Sequence, residues 1–304
     1  MTAYVNADCA YADLVNHVLN NGVREENRTG VATIGCFSYH YNLDLSEGDF
    51  PLLTTKNMSG KVWNSLIEEL VWYLSGEDHI RTFRTKSKIW DAWADAEGNL
   101  ETAYGRFWRK YPTIPAWSSL GGETWRSDDV DQIAEIVKAL EATAADPQKR
   151  SRRMILLAWH PANATISKLP PCHLMCIFSV QGGKLNCHLT QRSGDIGLGI
   201  PFNIACYATL MHILSKATGI PVGTFGHTII DAHIYCGEGE DDPFSHVKAV
   251  REQVQRVPYN APKLTIRDRH EGESALDYIN SLRFEDFTLE GYQAHPHVKM
   301  KVAP

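Results

Sequence analysis

Two strand-like runs, residues 173–180 and 184–190, are joined through Gly182-Gly183, and a long apolar helix pattern, IACYATLMHILSKATG, follows and ends at Gly219. A Gly-Gly pair between β-prone runs is a hairpin signal, because tight turns need positive φ at their centre and glycine meets no steric penalty there. This hairpin is flanked by polar groups that a core hairpin does not need. Cys172 and His173 follow Pro170-Pro171 at its start, and QRSGDIGLGIPFN (191–203) leaves its end. A fold for this chain has to explain why a thiol, a guanidinium, a carboxylate and an amide meet on one segment.

The remaining elements are mixed. ADCAYADLVNHVLNNGV (7–23) predicts a first helix, with Asp8 as a candidate cap and Asn20-Asn21-Gly22 as its end. VATIGCFSYHYNLDL (31–45) alternates and is rich in β-branched residues, which predicts a strand pair or a bent strand. In KVWNSLIEELVWYLSG (61–76), Val62, Leu66, Leu70 and Leu74 fall at four-residue steps, with Gly76 placed to end the helix. Residues 128–145 predict another helix, with Val130, Ile133, Val137 and Leu140 on one face. RRMILLAWH (152–160) reads as a buried strand and TFGHTIIDAHIY (224–235) as a further one. TIPAWSSLGGETWRS (113–127) and EGEDDPFSHV (238–247) read as surface loops. There is no regular βαβ alternation, so the expected class is α+β in a single domain over residues 1–304.

Composition excludes some classes. At 304 residues, 43% hydrophobic and 22% charged, the chain can bury a large core. A net charge of −6 argues against a nucleic-acid-binding surface, and no apolar run approaches the roughly 18 residues of a membrane span. The N-terminus lacks a basic stretch followed by an apolar one, so no signal peptide is expected. The seven cysteines are odd in number and lack metal-ligand spacing, which favours free thiols in a reducing, cytoplasmic setting and no metal.

Several residues suit chemistry, each with an ordinary alternative. A cation stabilises a thiolate, and pairing across the hairpin brings Arg192 towards Cys172; a free cysteine is as readily a core residue. Arg152-Arg153 and Arg192-Ser193 offer guanidinium forks and a hydroxyl that match a phosphate, or surface salt bridges. The glycines of DIGLG (195–199) let a ligand approach the backbone; no dinucleotide fingerprint is present. Asn203 carries a donor and an acceptor that can read an amide-like edge, but such residues also serve as turns and caps. Glu68 and Glu69 lie on different faces of one apolar helix, so one can point inward.

Taken together, PPCH…QRSGDIGLGIPFNIACYA resembles the signature of the thymidylate synthase family. The resemblance runs through the chain in order: NRTG, FPLLTTK, EELVWYL, IWDAWAD, YGRFWR, SRRMIL, the cysteine block, DAHIY and the tail FEDFTLEGYQAHPHVKMKVAP. It implies an α+β subunit with a large twisted mixed sheet flanked by helices, two subunits packed sheet to sheet, and dUMP and 5,10-methylenetetrahydrofolate as substrates. By position, Cys172 matches the nucleophile that adds to C6 of the pyrimidine, and Arg192 the arginine that supports thiolate and phosphate. Arg28, Gln191, Arg192 and Ser193 match nucleotide contacts of the same subunit; Arg152 and Arg153 match those given by the partner. Asn203 matches the base reader, and His233 with Tyr235 the pair that holds the sugar 3′-hydroxyl. Glu69, Tyr104 and His173 match the proton-handling network. Trp90, Trp93, Asp195, Leu198, Gly199 and Phe202 match folate contacts, Asp195 also among the catalytic residues, and Val302-Ala303-Pro304 a tail that closes over the folate. The resemblance implies no metal, membrane or nucleic-acid partner.

Some positions depart from the family pattern. Ile177 stands in place of a Gln, Thr190 in place of a Tyr and Ile230 in place of a Gly; NMSG (57–60) makes a longer segment, and Pro304 replaces an aliphatic terminal residue. Pyrimidine nucleotide hydroxymethylases share the scaffold and first steps, with water in place of hydride at the end, and remain the alternative. Asn203 favours uracil over cytosine in either case.

Overall fold

The computed structural model describes residues 3–101, 103–112 and 129–303. In chain order the elements are α1 (Ala7–Asn21), β1 (Val23–Glu25), β2 (Thr33–Asp44), α2 (Lys61–Ser75), α3 (Tyr104–Arg109), α4 (Gln132–Ala145), β3 (Ile155–Leu157), α5 (Pro161–Ala164), β4 (His173–Gln181), β5 (Lys184–Asp195), α6 (Gly199–Thr218), β6 (Val222–Tyr235), α7 (Val247–Val254), β7 (Lys263–Ile266), α8 (Ala275–Ser281) and β8 (Phe287–Glu290). A six-stranded mixed sheet runs β1-β2-β6-β5-β4-β3, and β7 pairs with β8 beside it. Helices flank the sheet, which is the expected α+β class.

The hairpin is present as expected. Gly182 and Gly183 both take positive φ at its turn, 59° and 74°. β5 then pairs parallel with β6, so Ser193 lies opposite Asp231 and Asp195 opposite His233. This crossover is made by α6, which is apolar over most of its surface because most of it is covered: Ala205, Ala208, Leu210, Met211, Ile213 and Leu214 are fully buried, while Lys216 near its end is exposed. Truncating one of these leucines to alanine would cost about 2–5 kcal/mol.

Strand alternation separates two faces. Cys176, Phe178, Cys187, Leu189 and Ile229 are buried on the helix side, while Ile177, His188, Thr190, Thr228, Ile230 and His40 are half-buried on the other.

Three expectations are corrected. Asn6, not Asp8, caps α1, its side chain accepting from the Cys9 N–H; Asp8 is buried and accepts from the backbone and hydroxyls of Thr54 and Thr55. The single-strand alternative expected for 31–45 is the one present, with Ser38 at φ 61° within it and one register with β6 on both sides of that residue. α4 starts at Gln132, where the Asp131 side chain caps the Ala134 N–H. RRMILLAWH yields only the three-residue β3 at the sheet edge, where Ile155 is 39% exposed. The stretch 113–127 and Pro304 lie outside the described residues.

Candidate active site

A cleft of about 620 Å³ opens at the end of the sheet where β5 and β6 finish and β4 begins. The parallel pairing brings the ends of β5 and β6 together, and the antiparallel hairpin brings the start of β4 beside them. Residues far apart in sequence, from Arg28 to Val302, therefore line one cavity.

Cys172 is among its lining residues. The Arg192 Nη2 lies 3.5 Å from the Cys172 sulfur, and the Arg192 backbone N–H donates to the Cys172 carbonyl at 2.9 Å. The guanidinium is held by the carbonyls of Pro171 and Pro170, to which Nε and Nη2 donate at 2.9 and 2.7 Å. The two prolines, whose nitrogens cannot donate, thus present carbonyls that aim a cation. Burial pushes the thiol pKa up, while Arg192 and Arg28 pull against that rise and Asp231 adds to it. Tyr104, at the start of α3, accepts from the Cys172 and His173 N–H groups at 2.9 and 3.3 Å. Its hydroxyl proton is thereby left free to point elsewhere. Burial first, then Cys172, raises the phenol pKa far above its ordinary value, so it stays neutral.

Glu69 is the inward carboxylate of its pair; Glu68 faces outward and pairs with Lys86 at 3.1 Å. Burial raises the Glu69 pKa to about 7, against the hydrogen bonds from Trp90 and Tyr73 that lower it. Trp90 Nε1 donates to Glu69 at 2.6 Å. His173 is buried and held neutral, its pKa lowered to about 4 by burial first. A carboxyl poised near neutrality beside a neutral phenol and a neutral imidazole suits proton transfer.

A buried chain fixes Asn203. Its Nδ2 donates to Gln191 Oε1 at 3.2 Å, and His227 Nε2 approaches the same oxygen at 3.1 Å. Tyr41 closes the chain, 2.7 Å from His227 Nδ1. The Gln191 oxygen can only accept, so His227 donates through Nε2 and accepts from Tyr41 through Nδ1. Burial lowers the His227 pKa well below the ordinary value, consistent with that neutral tautomer.

Arg28, Ser193, His233 and Tyr235 line the same cleft. Asp231 ties two of them together: its carboxylate accepts from Ser193 Oγ at 3.2 Å and lies 3.4 Å from His233 Nδ1. The His233 pKa is raised on balance: burial lowers it, and Asp231 outweighs that. Trp90, Trp93, Leu198 and Phe202, all half-buried, form an apolar wall with Gly199 and Asp195 at one end. Such a wall suits a flat heteroaromatic ring, and the Asp195 carboxylate suits its N–H groups. Gly197 does not serve ligand approach: a Cβ there would lie 2.5 Å from His246 Nδ1 and 2.8 Å from Met300 Sδ, so it makes room for the protein's own groups.

A family model described as thymidylate synthase matches residues 9–304. A thymidylate synthase from Haloferax volcanii is 42% identical over 357 aligned positions that cover the whole of both chains. The chain belongs to the thymidylate synthase family. Of the residues assigned by resemblance to that family, Arg28, Glu69, Trp90, Trp93, Tyr104, Cys172, His173, Gln191, Arg192, Ser193, Asp195, Leu198, Gly199, Phe202, Asn203, His233 and Tyr235 line the cleft. Arg152 and Arg153 do not; both are exposed ahead of β3, and Arg152 borders a separate groove with Gly182 and Gly219. Val302 reaches the cleft and Ala303 does not. Ile177, Thr190 and Ile230 also stay out of it, on the half-buried outer face of the sheet.

Sequence reasoning missed five residues that hold the site. Tyr41 and His227 looked like ordinary strand positions, and Asp231 was absorbed into DAHIY. Lys56 is buried, donates to the Gly197 carbonyl at 2.7 Å, and has its pKa lowered to about 8 by burial, with Asp195 opposing. His246 is fully buried although its segment reads as a surface loop. Only the apolar Val247 and Val250 after it signal that the chain turns inward there.

Proposed function

We propose that the protein is a thymidylate synthase, converting dUMP to dTMP with 5,10-methylenetetrahydrofolate through a covalent bond between Cys172 and C6 of the base. The observation that carries this reading is the Cys172–Arg192 pair in a cleft that also holds a buried carboxyl near neutrality. Arg192 stabilises the thiolate, whose sulfur adds to C6 while the C5–C6 π electrons move towards the C4 carbonyl. That makes C5 nucleophilic, which free uracil C5 is not. Asn203 reads N3–H and O4 with its acceptor and donor. Arg28, Ser193 and Arg192 hold the phosphate, orienting the base from a distance, and His233 with Tyr235 hold the sugar hydroxyl. The folate supplies the one-carbon unit and the hydride; Trp90, Trp93, Leu198, Phe202 and Asp195 would hold it. Tyr104 stays a neutral phenol because its pKa is raised far above the ordinary value, so it does not serve by itself as the base for the C5 proton. It aligns the transfer and Glu69 takes up the C5 proton; once the hydride has reached the one-carbon unit, the C5–C6 double bond re-forms and the C6–S bond breaks, its electrons returning to the Cys172 sulfur.

The working form is a homodimer joined through the outer sheet face, with Arg152 and Arg153 completing the partner's phosphate site. Their exposure away from their own cleft supports this. All seven cysteines are free, which supports a cytoplasmic setting, and the domain is read as single. Among the described residues no helix is long and apolar enough to cross a membrane. Incubation with dUMP and methylenetetrahydrofolate, followed by mass spectrometry, tests the activity. Formation of dTMP with dihydrofolate is the expected result. 5-Hydroxymethyl-dUMP with tetrahydrofolate would make the protein a hydroxymethylase instead.

A further inference from the structure

His246 has no place in the reaction outlined above, yet it is fully buried and faces an acceptor oxygen on each side of its ring. Nε2 lies 2.8 Å from the carbonyl of Lys301 in the C-terminal segment. Nδ1 lies 3.4 Å from Oδ1 of Asp195, at ion-pair distance but long for a hydrogen bond, and it has no other partner among the described residues. A neutral imidazole has one N–H. Either tautomer turns a lone pair towards one of these two oxygens, in a site without water-like dielectric. Only the imidazolium satisfies both.

The surroundings are built for this contact. Gly197 leaves the space that His246 and Met300 fill. The Tyr235 ring stands edge-on to the imidazole at 5.5 Å. The charged groups that face it are Asp195 at the end of β5, which favours the cation, and Lys56 from the loop before α2, which opposes it. Lys301 contributes its carbonyl, while its ammonium lies over the Phe244 ring at 5.7 Å. The next residue, Val302, lines the cleft.

We infer that protonated His246 is a positioning residue that latches the C-terminal segment to Asp195 across the mouth of the cleft, so that the seated segment is released as His246 loses its proton. The sign follows from linkage. Burial lowers the His246 pKa, and Asp195 with the Lys301 carbonyl more than restores it, so the balance lies above the ordinary value. The latch is complete below the pKa of the unlatched histidine and is lost as pH rises through the latched one. It concerns how the tail is held, whatever the cleft binds.

Carboxypeptidase trimming of the full-length protein, followed by mass spectrometry, reads the latch without any turnover. The trimming rate should rise as pH rises through the imidazole range, by up to about tenfold per unit for one proton. In His246→Gln, whose amide donates from one end, accepts at the other and carries no titrating proton, trimming should be fast and flat relative to an unstructured peptide control at each pH. A flat wild-type profile, or an unchanged slope in His246→Gln, would overturn the latch. Should that variant fail to fold, histidine-selective NMR supplies the reciprocal measurement. The His246 pKa should fall on deletion of residues 301–304, because the tail and the proton favour each other equally; an unchanged titration would be decisive against it.

Discussion

Nη2 of Arg192 lies 3.5 Å from the sulfur of Cys172 and 2.7 Å from the carbonyl of Pro170, so one nitrogen is shared between a backbone anchor and the thiol. The anchor holds the cation in place before any substrate arrives. Burial and charge therefore act on the thiol in opposite directions at a fixed geometry.

Arg192→Gln should leave burial in place and remove the opposing charge. The thiol pKa then rises further, and the thiolate fraction at pH 7.5 falls about tenfold for each unit. Iodoacetamide labelling of Cys172, followed by peptide mass spectrometry, should slow by at least about tenfold. An unchanged rate would mean that Arg192 does not tune the sulfur.

Glu69→Gln should trade activity for stability. The Glu69 carboxyl is raised from 4.5 to about 7 by burial, so the folded state binds more protons than the unfolded one between these values. Stability falls as pH rises across that window and stays lowered above it, by roughly 3 kcal/mol on the order-of-magnitude scale. The glutamine variant lacks this penalty. Urea midpoints should match wild type near pH 4 and exceed it at pH 8, while turnover drops sharply. Equal midpoints at pH 8 would show that Glu69 ionises without cost.

Asn203→Asp should weaken selection of dUMP over dCMP. Asn203 Nδ2 donates to a Gln191 oxygen that His227 also holds, so the amide cannot turn over to suit cytosine. A protonated carboxyl at that position can donate its single O–H to cytosine N3 while its other oxygen accepts from the exocyclic amino group, giving up the hydrogen bond to Gln191. Each mismatched polar pair costs about 1–3 kcal/mol, so the kcat/KM ratio should shift by one to two orders of magnitude or more. A wild type that prefers dCMP, or an unchanged ratio, would remove Asn203 as the base reader.

Mixing Cys172→Ala with Arg153→Ala under subunit exchange should restore activity that neither variant has alone. Random exchange puts half the chains into mixed dimers, each with one site that has both its cysteine and its partner arginines, so about a quarter of wild-type activity is the ceiling. A fully active monomer in sedimentation, or no recovery after proven exchange, would defeat the shared site.

Local signals carried the elements that local physics decides. Gly182-Gly183 and the αL residues Gly76 and Gly219 mark a hairpin and two helix ends because they need positive φ, and each was readable. The length of β3 was not, since only its pairing with β4 limits it to three residues. Ordered motifs located the cleft, and the Cys172–Arg192 approach followed from hairpin pairing. The carriers behind those residues stayed hidden. Tyr41, His227 and Asp231 matter through hydrogen bonds to other strands, and register across a sheet is not written in any one strand. The same holds for Ile177, Thr190 and Ile230: strand alternation places them away from the cleft, so their departures bear on the outer sheet face and not on the pocket.

The cleft draws on residues from Arg28 to Val302, which spans almost the full length of the chain. A growing polypeptide on the ribosome thus has no complete site until Val302 emerges. Ligand that binds only the assembled cleft stabilises finished molecules and not fragments, by an amount that grows with the logarithm of its concentration. Products that lack part of the cleft would gain nothing from such a ligand and would be left to proteolysis, so ligand supply itself favours survival of chains that hold the whole cleft.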